Sequence, residues 1–137
     1  MKRAILLVDD DPDRFFIDEL EELEGCEITT AETVAEALKL LYKSKFEAII
    51  LDVVIPAGEG YEEYFSLRQD TMGCPGFELA RMIGEGSFGK ITTIILSGLI
   101  GAPDFSWRID RLLNDHIFAV CKSGSIDEVF KILSRIK

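Results

Sequence analysis

Four short apolar runs in this chain each end on a residue able to handle metal or phosphate. Ile5–Val8 runs into Asp9, Asp10 and Asp11, and Ala48–Leu51 runs into Asp52. Ile94–Leu96 ends on Ser97, and Ile117–Cys121 ends on Lys122. Carboxylates, a hydroxyl and an ammonium brought to one spot suit a divalent cation and a phosphoryl group. Two carboxylates about 4 Å apart repel by roughly 4 kcal/mol at an effective dielectric near 20. Such a cluster therefore needs a cation, protons or a basic partner. Oxygen-only ligands suit Mg²⁺, which keeps several waters and binds one or two carboxylates plus a phosphate.

The convergence depends on the elements that carry these residues. Apolar runs of this length, separated by helical patterns, read as buried strands of a parallel sheet. Strands are predicted at about 3–9, 26–30, 47–52, 92–97 and 117–121. Helices are predicted at about 12–24, 34–44, 76–85, 105–114 and from Ser125 to Ile136. Asp11 is the predicted cap of the first helix, with Pro12 in its first position and Gly25 past its end. Thr33 with Glu36, and Ser125 with Glu128, have the spacing of capping boxes. Phe16, Leu20 and Leu23 share one face of the first helix. Val34, Ala37, Leu38 and Leu41 share one face of the second, and Ile126, Val129, Phe130 and Leu133 one face of the last. Alternating strands and helices with right-handed crossovers give an α/β doubly wound five-stranded parallel sheet of flavodoxin-like order 2-1-3-4-5, with helices on both faces. In such a sheet the ligand crevice lies at the carboxyl ends of the strands, where the four chemical residues fall.

Composition narrows the function classes. The 137 residues are 47% hydrophobic and 29% charged, enough for one domain with a core. A net charge of −10 repels nucleic acids and anionic membranes, so neither is expected as a direct partner. Cys26, Cys74 and Cys121 are odd in number and lack metal-site spacing, which favours a reducing compartment; Cys121 reads as a small core residue. No stretch is long enough to span a bilayer, and Met1-Lys2-Arg3 is not followed by a signal-peptide core. The expected location is the cytoplasm. His116, the only histidine, reads as a surface or packing residue. Phe105 and Trp107 read as packing residues of the helix they begin.

With these motifs in order, the chain resembles the receiver domain of bacterial two-component response regulators. The residues that carry the likeness are VDDDP at 8–12, LDVVIP at 51–56, GFELA at 76–80, ILSG at 95–98 and Lys122. The resemblance implies that Asp52 is the phosphoacceptor, Asp10 the direct Mg²⁺ ligand, Asp9 a ligand through water, and Val54 a ligand through its backbone carbonyl. It implies that Lys122 contacts the phosphoryl oxygens and that Ser97 turns toward them after transfer. It implies a sensor histidine kinase or a histidine phosphotransfer protein as donor and a downstream protein target. It implies no enzyme in the ordinary sense, but a phosphoacceptor that assists its own phosphotransfer and dephosphorylation. The expectation is a stand-alone receiver domain over 1–137.

The chain departs from the family pattern in four places. About four residues usually separate the loop proline from the next glycine; between Pro56 and Gly76 there are roughly sixteen more, an insertion at about 57–75. Its Tyr61-Glu62-Glu63-Tyr64-Phe65 patch suggests either a partner contact or lid, or a tolerated insertion. Ser123 follows the lysine where proline is usual, which favours a trans peptide bond there. Ala119 stands three before the lysine, where the family carries an aromatic switch residue. The segment joining the last two strands also runs a few residues long.

Rival readings fare less well. Gly84-Glu85-Gly86-Ser87-Phe88-Gly89-Lys90 spells a kinase glycine-rich loop, but the HRD and DFG motifs do not follow. It nearly spells a Walker A loop, yet Ile91 stands where Ser or Thr must hold magnesium; the plain reading is a connector ending a helix. Asp9 and Asp11 suit a haloacid-dehalogenase-type phosphatase, but Asp13 stands where Thr or Val belongs and there is no cap domain. A flavodoxin would place a phosphate where this chain has three carboxylates. A degenerate receiver, acting as a phosphorylation-independent interaction module, stays as the alternative.

Overall fold

The computed structural model describes residues 3–23, 25–60, 75–98, 110–121 and 126–135. In chain order these form β1 (Arg3–Val8), α1 (Arg14–Leu23), β2 (Cys26–Ala31), α2 (Val34–Lys43), β3 (Ala48–Leu51), α3 (Gly76–Gly84), β4 (Thr92–Ser97), β5 (Ile117–Cys121) and α4 (Ile126–Ser134). All strand pairs are parallel and the sheet order is β2-β1-β3-β4-β5, as the sequence implies. The central strands have no polar face because helices cover both sides. Ile5, Leu7, Ala48, Ile50, Ile94 and Val120 pack with Phe16, Ile17 and Leu20 of α1 and Val129 and Leu133 of α4. The alternate residues Leu6, Val8, Ile49, Leu51, Ile95 and Ile117 pack with α2 and with Phe77, Leu79, Ala80 and Ile83 of α3.

The helix starts follow local hydrogen bonding. Thr33 caps α2: its Oγ1 accepts the Glu36 N–H at 3.1 Å. Glu36 Oε2 accepts the Glu32 N–H at 3.0 Å, one residue outside the usual box partner. Removing such a cap costs about 1 kcal/mol, so Thr33→Ala should lower the urea midpoint without changing the slope of the transition.

At α1 the cap is Asp13, which corrects the assignment to Asp11. Asp13 Oδ1 accepts the N–H groups of Phe15 and Phe16 at 2.9 and 3.4 Å, and its carbonyl accepts Ile17 N at 3.1 Å. Asp11 instead donates its N–H to Asp9 Oδ1 at 2.9 Å, so it belongs to the turn leaving β1. Of the predicted helix at 105–114, residues 110–114 lie within the described residues; 110–112 are helical, whereas 113 and 114 are not, so the helix ends before its predicted bound. Phe105, Trp107, Ser125 and the patch at 61–65 lie outside them. Cys26 is buried, whereas Cys121 is only partly so, because β5 is an edge strand.

Entry into β5 is held by Asn114, whose Oδ1 accepts the N–H groups of His116 and Ile117 at 2.9 and 3.0 Å. His116 is 14% exposed, and its Nδ1 lies 3.0 Å from Asp115 Oδ1. That contact, followed by the Lys90 ammonium at 2.9 Å, lowers the Asp115 pKa to about 2. A carboxylate depressed in the folded state adds stability above its unfolded pKa, near 3.9, and loses it as pH falls toward 2. An NMR titration of Asp115 should therefore show a midpoint near 2. In Lys90→Met the midpoint should rise toward the ordinary aspartate value.

Candidate functional site

The carboxyl ends of β1 and β3 build the site. Leu51 lies beside Val8 in the register, so Asp52 and Asp9 are the next neighbours along the two strands. The Asp52 N–H donates to Val8 O, and the Asp9 N–H to Ala31 O, each at 2.9 Å. Ladder bonds thus fix both backbones past the last strand residue. The alternation that sends Leu7 and Ile50 into the α1–α4 layer places Asp9 and Asp52 on that same side. Both are buried, at 5% and 7% exposure, while Asp10 is exposed.

Local bonds orient the two buried carboxylates. Asp9 Oδ1 takes the Asp11 N–H, and Asp52 Oδ1 takes the Val54 N–H, both at 2.9 Å. Val54 is 43% exposed at the rim of the site. Ser97 ends β4, one strand over from Asp52; its side chain and Lys122 lie outside the described residues. The structure thus brings Asp9 and Asp52 together, with Val54 beside them and Asp10 at the edge.

Among the described residues no group of three His, Cys, Asp or Glu side chains forms a ready metal cluster. Magnesium does not require one, since it binds through one or two carboxylates and keeps its waters. A pair of acidic strand ends plus a main-chain carbonyl is a hard-oxygen set that fits it.

Two glycines matter to this geometry, and their reason is not visible in the sequence. A Cβ on Gly76 would lie 2.4 Å from Val53 O and 2.5 Å from Val53 Cα. The first residue of α3 therefore rests directly on the backbone next to Asp52. A Cβ on Gly58 would lie 2.6 Å from Thr33 Oγ1, and its φ of +91° is one that L side chains rarely adopt. The sequence signals available are Gly76 at the head of GFELA and Gly58 two residues past Pro56, but neither names its contact.

Away from this edge, Gly84–Lys90 does not form a phosphate cradle. The N–H groups of Gly86, Ser87 and Gly89 donate to Ile83, Met82 and Gly86 carbonyls at 3.1, 3.2 and 3.0 Å. The segment is the turn that ends α3. Buried Glu78 on α3 is held by Arg81, which also meets Glu85 at 2.5 Å. These two carboxylates hold the Arg81 guanidinium above its ordinary pKa.

An open parallel sheet of this order defines a doubly wound α/β domain whose ligand crevice lies at the carboxyl ends of the strands, where Asp9 and Asp52 stand. Residues 5–79 match the family model of the response regulator receiver domain. The chain belongs to the response regulator receiver domain family, whose members serve two-component signalling. It is similar in structure to the response regulator TrrA of Thermotoga maritima, solved with Mg²⁺–BeF. Identity there is 28% and the TM-score 0.67, with 100% of each chain covered. The non-phosphorylated HemR receiver domain of Leptospira biflexa is 26% identical with a TM-score of 0.65, covering 98% of this chain and 94% of that one. The chemotaxis response regulator CheY4 of Vibrio cholerae shares the fold at 22% identity, with a TM-score of 0.70 and both chains covered fully. No curated protein sequence matches the chain. No helix among the described residues is long and apolar enough to cross a membrane.

Proposed function

We propose that this receiver domain accepts a phosphoryl group on Asp52, with Mg²⁺ bound, and signals by protein–protein contact in the cytoplasm. The observation that carries this reading is the in-register pair of buried carboxylates, Asp9 and Asp52, with Asp52 aimed by the Val54 N–H. Asp10 would hold the metal directly, Asp9 through water, Asp52 through a carboxylate oxygen and Val54 through its carbonyl. When bound, the cation neutralises charge on the transferring oxygens. An Asp52 oxygen attacks the phosphorus of a phosphohistidine; the O–P bond forms, the N–P bond breaks, and its electron pair returns to the imidazole nitrogen. Lys122, one residue past β5, contacts the phosphoryl oxygens as a point charge. Ser97, at the end of β4, donates a hydrogen bond to them once transfer is complete.

The donor is a sensor histidine kinase or a histidine phosphotransfer protein, and the output is a protein target. The chain is one domain over 1–137, with 57–75 inserted between β3 and α3. Hydrolysis of the acyl phosphate by water ends the signal. The test is beryllofluoride with magnesium, read by ¹⁹F NMR: a bound resonance is expected. Its absence under saturating reagent would defeat the phosphoacceptor reading and favour the interaction-module alternative.

A further inference from the structure

The segment following Asp52 is clipped to a second element before it reaches the long connection. Pro56 O and Ala57 O accept the N–H groups of Val34 and Ala35 at 3.1 and 2.9 Å. Those are the first two amides of α2, which have no partner inside the helix. Ile55 and Ala57 are buried in the same apolar layer as Val34. Gly58 closes the clip, packed so tightly on Thr33 and Ala35 that a Cβ would lie within 2.9 Å of both. From the Val54 N–H on Asp52 to the carbonyls on α2 there are only three residues. One of them is Pro56, whose ring fixes its φ.

Resting on the phosphoacceptor reading, we propose that the N-terminus of α2 reads the state of Asp52 through the backbone of residues 54–57. The ionised carboxylate is a strong acceptor for the Val54 N–H. Once one oxygen carries a phosphoryl group, the other is a neutral carbonyl and a weaker acceptor. Val54 then shifts, and the segment behind it, anchored by the buried Ile55 and Ala57, has little slack. The shift reaches the two carbonyls that hold Val34 and Ala35. This route needs no side-chain rotation, and Ala119 has no side-chain torsion to rotate. Coupling is reciprocal, so the α2 contact in turn sets how Asp52 is presented. Thr33, Val34 and Ala35 are therefore positioning residues for the phosphoacceptor.

The test uses hydrogen exchange and one variant. Beryllofluoride with magnesium should change exchange at Val34 and Ala35 by about three- to tenfold, the effect of weakening one ordinary hydrogen bond. Leu38 and Leu41, further along α2, should not move. Val34→Pro deletes one donor at the first helical position, where proline is tolerated. Thr33, at φ −136° and ψ 163°, already has the extended backbone required before proline. In that variant, acyl-phosphate lifetime after loading with acetyl phosphate should change threefold or more at unchanged helix content. A purely structural role would lower stability and leave the lifetime alone. The proposal is overturned if wild type binds beryllofluoride while Val34 and Ala35 stay unchanged, or if a folded Val34→Pro keeps the wild-type lifetime. Wild type that binds none fails the phosphoacceptor reading and this proposal with it. Should Val34→Pro not fold, the wild-type exchange decides.

Discussion

Asp52→Asn is expected to abolish phosphoryl uptake while leaving the fold intact. Incubated with acetyl phosphate and Mg²⁺, the wild type should gain the mass of one phosphoryl group, and the variant none. The amide is not a nucleophile toward phosphorus, so the loss is at least about a thousandfold. The fold survives for a local reason. The bond at this position is donated by the Val54 N–H to Oδ1, and an asparagine carbonyl can still accept it. Replacement also removes one negative charge beside the buried Asp9. Circular dichroism and the thermal midpoint should stay close to wild type. A stable adduct on Asp52→Asn at the wild-type rate would show that another group is the acceptor. Asp10→Asn keeps the nucleophile and one carboxylate, so uptake should fall by about 10–100-fold and become less sensitive to magnesium.

Much of this was legible in the sequence, and what was not has physical reasons. Ile5–Val8 and Ala48–Leu51 are apolar on both faces, which only a strand covered by helices on both sides requires. That pattern alone puts Asp9 and Asp52 at strand ends, and the strand order makes them neighbours. The cap of α1 was misplaced because Asp9, Asp10, Asp11 and Asp13 send the same local signal. What separates them is which carbonyl Ile17 reaches and which amides each carboxylate meets, and here Asp13 wins. At α2 the spacing of Thr33 and Glu36 announced the cap, but not that Glu36 would reach Glu32. The docking of Pro56 and Ala57 on α2 joins residues twenty or so positions apart through backbone groups alone, so no side-chain pattern records it. The glycine-rich run at 84–90 shows the converse. Its composition suits phosphate, yet the amides of Glu85, Gly86, Ser87 and Gly89 are already committed to the turn that ends α3.

Gly76→Ala should destabilise the protein by about 2–4 kcal/mol, against the direction helix propensity gives. Gly76 opens α3. In an ordinary helix, exchanging glycine for alanine gains about 0.5–1 kcal/mol. Here the added methyl would lie 2.4, 2.5 and 2.7 Å from the O, Cα and C of Val53. Those are backbone atoms of a fully buried residue, so no side chain can turn aside. Either α3 moves off the sheet or Val53 moves, and overpacking of this kind costs several times the propensity gain. With a urea slope of about 1.5–2 kcal/mol/M for a domain of this size, the midpoint should fall by about 1–3 M. Gly25→Ala is the control. It is strained by φ +62° but meets nothing within 4 Å, so it should lose only about 1 kcal/mol. The two variants should also differ in function. Displacing Val53 disturbs the Val54 N–H that aims Asp52, so Gly76→Ala should take up phosphoryl more slowly even where it is fully folded. Gly25, at the turn between α1 and β2, should leave uptake unchanged. If Gly76→Ala loses no more stability than Gly25→Ala, the close approach of α3 to the backbone following β3 is wrong.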